Sequence, residues 1–251
     1  MTRLFTILAA LLAALPALAG CPNAPLPLPE VPGAVWVCPA GYSAAVDPKR
    51  KIALVVAYRL TGPHTLGCNA RGDNFHAEPS LPPEDRASPA DWLHSGYDLG
   101  HQAPAQDFAW DSARMPESFS TANMTAQAPH LNEWQWERGE ESVRAWALGR
   151  GEVDVYTGPV LAADAKTLPG GEAIPDGYWK LVVDRKAGQS IALEMPNVPT
   201  PKGDLAPSLS SVDAIARDAG ITVPDTPPSS ASVWPADLGA WHKAHKAACG
   251  G

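Results

Sequence analysis

The stretch that most restricts the architecture is Leu131–Leu148, "LNEWQWERGEESVRAWAL". Trp136, Val143, Trp146 and Ala147 fall on one stripe at helical spacing, which predicts a long helix in the middle of the chain. Gly149-Arg150-Gly151 supplies its stop. Strand-like runs lie on both sides of it: Ile52–Tyr58, then Val153–Thr157, Trp179–Asp184 and Ile191–Leu193. Ser210–Gly220 predicts a second helix, capped by serine and followed by glycine, and a short helix is expected around Leu238–Ala248. Gly62–Trp92 is rich in Gly, Pro, Asp and Asn and is expected to be a long irregular excursion, the kind of loop that often carries function. The 27 prolines and 21 glycines force much of the chain into loops and exclude a long helical bundle. The order strand, loop, helix, strands, helix predicts an α+β fold.

The first residues, "MTRLFTILAALLAALPALAGC", have the layout of a secretory leader. Arg3 opens it, Leu4–Leu15 is apolar, and Ala17-Leu18-Ala19 is a small-residue cleavage site. The apolar run is too short for a membrane span. Export to a periplasm or the extracellular medium is therefore expected. "LAGC" at Leu18–Cys21 also fits a lipobox, which makes anchoring through Cys21 the alternative. Residues 1–20 are the expected leader, 21–34 a proline-rich extended tether, and 35–251 a single domain.

The four cysteines suit two disulfides in an oxidising compartment. Of the three possible pairings, Cys21–Cys38 with Cys68–Cys249 is expected, one bond local and the other tying down the C-terminal tail. The formal net charge of −8 argues against broad electrostatic coating of nucleic acid. A polyanionic substrate would need a local basic site or a metal.

Two polar features stand out. "YDLGHQAP" at Tyr97–Pro104 places an acid, a glycine, a histidine and a proline in one short run. On the middle helix, at about 100° per residue, Asn132, Glu140 and Arg144 lie at roughly 0°, 80° and 120° around the axis, sharing or flanking the apolar face. Buried polar groups there must be paired or bind something. An Asn132 cap and a Glu140–Arg144 pair at i,i+4 would also satisfy them. His242 and His245 sit on a lysine-bearing tail helix and read as solvated. His64, His76, His94 and His130 read as surface loop residues. The tryptophans read as packing residues.

Together, "YDLGHQAPAQDFAW" and "SFSTANMTAQAPHLNEWQWERGEESVRAW" resemble the DNA/RNA non-specific endonuclease family, a branch of the ββα-metal (His-Me finger) nucleases. That family shows Asp-Arg-Gly-His followed by Ala-Pro, then Ser-Asn-(Met/Ile)-x-x-Gln, Leu-Asn, a tryptophan, and a Glu and an Arg further along the helix. Asp98, Gly100, His101, Ala103, Pro104, Asn123, Gln127, Leu131, Asn132, Trp136, Glu140 and Arg144 match in order. Weaker similarity extends from about Val55 to Asn197.

The resemblance implies a ββα-metal core with a central, mostly antiparallel sheet flanked by helices and long loops. It implies endonucleolytic hydrolysis of DNA and RNA to 5′-phosphate ends. His101 would be the general base, and imidazole chemistry suits that task. Asn132 would be the direct protein ligand of a divalent metal, Mg²⁺ with Mn²⁺ able to replace it. Magnesium prefers oxygen and keeps several waters, so one amide oxygen can suffice. Glu140 would hold metal-bound water, and Arg144 would face the phosphate or orient Glu140. Arg71 is carried over as an upstream phosphate-binding arginine, and Asn123, Asp98 and Gly100 as supporting residues. The chain departs from the pattern at Leu99, where the family has arginine. Two other functions fit the same residues: a non-catalytic envelope nucleic-acid-binding protein that keeps the fold, and a phosphodiesterase of narrower substrate range. DNA and RNA are the expected partners; the sequence is also compatible with a homodimer.

Overall fold

A computed structural model describes residues 20–250; the leader expected over residues 1–20 lies outside them, apart from Gly20. Among the described residues, nine strands and four α-helices follow one another with long loops between. Strands β1 (Val35–Val37), β2 (Ser43–Asp47) and β3 (Ile52–Thr61) open the chain. After an excursion come β4 (Asp98–His101), the short α1 (Arg114–Glu117) and β5 (Met124–Gln127). A π-helical segment, Leu131–Trp136, runs directly into α2 (Glu137–Arg150). Strands β6 (Glu152–Val160), β7 (Gly177–Asp184), β8 (Gln189–Pro196) and β9 (Leu209–Ser210) complete the sheet. Helices α3 (Val212–Asp218) and α4 (Leu238–Ala248) end the chain.

The large sheet is antiparallel, in the order β1-β2-β3-β6-β7-β8-β9. Its two faces follow from strand alternation. On β7, Tyr178 and Val182 join the cluster that holds Trp136, Val143 and Trp146 of the central helix. Trp179, Leu181 and Val183 join the opposite cluster, with Ile215 of α3 and Leu26. The sheet is thus sandwiched, with its site-bearing layer on the α2 side.

The expected strands and helices are present, with longer strands. The excursion Gly62–Trp92 contains only 3₁₀ turns as regular elements. The proline-rich segment is packed and not free: Leu26 is buried and Pro27 O accepts a bond from the Tyr156 hydroxyl. Both expected disulfides, Cys21–Cys38 and Cys68–Cys249, are formed. A Cys21 sulfur so bonded is not free to carry a lipid thioether. Among the described residues, no helix is long and apolar enough to cross a membrane.

Candidate active site

"YDLGHQAP" contains a strand. Asp98–His101 pairs antiparallel with Met124–Gln127 in a separate two-stranded sheet, His101 opposite Met124 and Gly100 opposite Thr125. Gly100 is required by packing: a Cβ there would meet the Gln127 side chain at 2.0 Å. The helix follows β5 after three residues, so strand, strand and helix form one unit. The Trp136 indole locks it, with Nε1 donating to His101 O at 3.0 Å. Asn123 fixes the chain beyond the histidine: its Oδ1 accepts from Ala103 N (2.9 Å) and its Nδ2 donates to Ala103 O (2.8 Å).

This unit brings His101, Asn132, Glu140 and Arg144 to one cleft of about 460 Å³, joined by Arg71 and Leu99. His101 is largely buried, with Phe119 edge-on to its ring at 5.1 Å. Its Nε2 has no hydrogen-bond partner among the described residues. Burial, aided by the Arg71 charge, lowers its pKa to about 3, so the neutral, proton-accepting form persists at ordinary pH. Arg71 itself is exposed, bonded to Asp73 at 3.0 Å.

Asn132 does not cap the helix; it lies inside the π turn, a distortion frequent at functional sites. Its Nδ2 donates to Asp98 Oδ2 at 3.0 Å. A carboxylate only accepts, so the amide nitrogen must face it, and Oδ1 is left free of that bond as a hard oxygen donor. That donor chemistry fits a hydrated hard cation such as Mg²⁺. Among the described residues, no group of three or more His, Cys, Asp or Glu is arranged to hold a metal, so a cation here would rest on the amide oxygen and water.

Arg144 does not form the i,i+4 pair with Glu140. It is buried and pairs with Asp107, Nη1 to Oδ1 at 3.0 Å, while the Tyr58 hydroxyl donates to the other Asp107 oxygen at 2.7 Å. Below this pair lies Lys180 of β7, fully buried, its Nζ 4.2 Å from the Trp136 ring centroid. Burial pushes the Glu140 carboxyl up and the Lys180 ammonium down. Their opposite charges counter both shifts.

Asp107, Lys180, Trp241 and His245 escape sequence reasoning. Lys180 leaves a signal, a lone cation in the apolar strand "YWKLVV". His245 reads as solvated, yet it lines the cleft from α4, whereas His242 is exposed as expected, 3.5 Å from Glu141. Three more carboxylates, Glu133, Glu137 and Glu141, line the cleft as well. The site is therefore not a plain basic groove, and a polyanion here needs local cationic help.

Residues 29–230 match the family model described as "DNA/RNA non-specific endonuclease". The chain is 30% identical to mitochondrial Endonuclease G of Bos taurus over 242 residues, covering 88% of this chain and 81% of the relative. It is 30% identical to the Nuclease of Serratia marcescens over 214 residues, 74% of this chain and 77% of that one. In fold it is similar to a solved chain from an EndoG/EndoGI complex, with a TM-score of 0.68 at 22% identity, covering 76% of this chain and 85% of the other. The ββα unit, its cleft and these likenesses agree: the chain is a hydrolytic endonuclease and belongs to the DNA/RNA non-specific endonuclease family.

Proposed function

We propose that the protein is an exported endonuclease that hydrolyses phosphodiester bonds in both DNA and RNA, leaving 5′-phosphate ends. His101 acts as general base and Asn132 holds one Mg²⁺, for which Mn²⁺ can substitute. The observation that carries this is the convergence of a neutral, unpartnered histidine and a carboxylate-oriented asparagine on one cleft.

His101 Nε2, neutral and without a protein partner among the described residues, takes a proton from the attacking water. Asp98 turns the Asn132 amide so that its oxygen points away from the carboxylate. Bound there, a divalent cation would neutralise phosphoryl charge and stabilise the leaving oxygen. Glu140 orients water from the helix side. Arg144, paired with Asp107 beneath the cleft, steadies its polar floor, a role different from the phosphate contact or Glu140 partner expected of it. Arg71 meets phosphate from the loop side. Export is supported by the two disulfides, which persist in oxidising compartments.

The test is cleavage of plasmid DNA and of RNA by oxidised protein in Mg²⁺ or Mn²⁺. Degradation of both, abolished by EDTA and by His101→Ala, is expected. Intact substrates in either metal would overturn the proposal. Binding without turnover would identify a non-catalytic nucleic-acid-binding protein, and cleavage of short diesters alone a narrower phosphodiesterase.

A further inference from the structure

Helix α4 lies beyond the residues matched by the family model, which end at 230, yet it reaches the cleft. Trp241 and His245, one helical turn apart, both line it. Trp241 is the buried residue of this helix. Its Nε1 donates to Thr65 O at 3.2 Å, and the Arg144 guanidinium carbon lies 4.9 Å from its ring centroid. His245 is half-buried. Its Nε2 is 3.0 Å from Gly67 O and 3.2 Å from Gln106 Nε2, which also donates to that carbonyl; since a carbonyl only accepts, the His245 Nε2 that bonds it carries a proton. Nδ1 has no protein partner among the described residues.

The helix is pinned at its end. Cys249 follows the last turn and is bonded to Cys68, three residues before Arg71. The bond therefore ties together the two segments that bring Arg71 and His245 to the cleft. Apart from Trp241, the side chains of α4 are exposed or half-buried, and an 11-residue helix is marginal without tertiary support. The disulfide is a principal restraint on where His245 sits.

We propose that α4 is a substrate-binding wall: His245 contacts the phosphate backbone of the nucleic-acid strand beside the scissile bond, and the Cys68–Cys249 disulfide holds it in place. The chemistry points to backbone phosphate. Arg71 gives this part of the cleft a guanidinium, and His245 in its imidazolium form offers Nδ1–H as a second donor while Nε2–H stays on Gly67 O; the hairpin adds the uncharged Leu99 beside His101. Anionic oxygens are the ligands such donors recognise. The inference rests on the cleft being the phosphodiester site.

The experiment measures binding apart from turnover. Anisotropy of a fluorescein-labelled 20-nucleotide strand is followed in EDTA at low salt, with parallel cleavage assays in Mg²⁺. The proteins are wild type, His245→Ala, His245→Lys and the double variant Cys68→Ser/Cys249→Ser, each checked for its thermal midpoint. His245→Ala should weaken binding roughly 5- to 10-fold, the size of one lost charge-assisted hydrogen bond, with an unchanged midpoint. His245→Lys, which keeps a donor, should stay within about 2-fold of wild type. The disulfide-free variant should bind about 10-fold more weakly, as the whole wall is released. Wild-type affinity in His245→Ala, or equal losses in His245→Ala and His245→Lys with lowered midpoints, would overturn the contact. Wild-type affinity in the disulfide-free variant would overturn the pinning. Cleavage with unchanged binding in all variants sinks the wall and spares the assignment of the site. Weakened variants of a wild type that never cleaves do the reverse, and a wild type that binds no strand sinks both.

Discussion

Asp98 accepts a hydrogen bond from Asn132 at 3.0 Å, joining the strand that carries His101 to the π turn that opens the helix. This bond decides which end of the Asn132 amide is committed to protein and which is available to a cation. Asp98→Ala should therefore raise the Mg²⁺ concentration needed for half-maximal cleavage by roughly 10- to 100-fold, the usual cost of losing a residue that orients a metal ligand. Excess Mg²⁺ should recover most of the rate. A metal titration that coincides with wild type would show that the bond does not orient the amide.

The buried Arg144–Asp107 pair makes a prediction about stability. Arg144→Met removes one partner and leaves Asp107 charged in an enclosed site, which costs about 3–5 kcal/mol. Arg144→Met/Asp107→Leu should recover much of that loss, because no uncompensated charge remains. Urea unfolding measures both. A single variant as stable as wild type, with only its KM raised, would move Arg144 from the floor of the cleft to the substrate.

His101 makes the acid limb of stability steeper. Burial first, and the Arg71 charge second, hold its folded pKa near 3, whereas an unfolded histidine titrates near 6.5. Between those values the unfolded chain binds the extra proton, so folding stability falls as pH falls. For this group the slope approaches about 1.4 kcal/mol per pH unit, and above 6.5 the dependence vanishes. Thermal midpoints of wild type and His101→Gln from pH 7 to 4 should diverge, with the variant falling less. Parallel profiles would contradict the assignment.

Leu99 lines the cleft where the family pattern has arginine. Leu99→Arg should strengthen polynucleotide binding and steepen the log–log salt dependence by about 0.9, the signature of one added phosphate contact on duplex DNA. An unchanged slope would mean that the new guanidinium pairs with a cleft carboxylate such as Glu133 instead.

The sequence exposed the parts of this architecture that have a period. The stripe of Trp136, Val143, Trp146 and Ala147 is buried as its spacing requires, and the apolar runs became the sheet. Strand β4 was hidden because Asp and Gly are poor strand formers; it becomes a strand by pairing with Met124–Gln127. Strand β1, three residues long, was too brief to register, and β2 was too rich in Ala and Ser. The oddly polar face of the helix was a true signal, but its resolution was not local. Arg144 finds Asp107, 37 residues away, and Lys180 arrives from a different strand. His245 looked solvated because its helix carries lysines, and the expected Cys68–Cys249 bond, though formed, does not tell from sequence which wall the tied-down tail lines. Local pattern reports which faces are buried; only the tertiary path reports what those faces meet.

In the proposed mechanism His101 is the base working beside an Asn132-held cation. The most direct test is the single-turnover cleavage rate of a defined duplex at saturating Mg²⁺, for wild type and His101→Ala. Loss of a general base removes about 10²- to 10⁴-fold. A drop of at least 100-fold, with substrate affinity retained, is the predicted result. A His101→Ala rate within about 10-fold of wild type, below the range for a lost general base, would contradict the account.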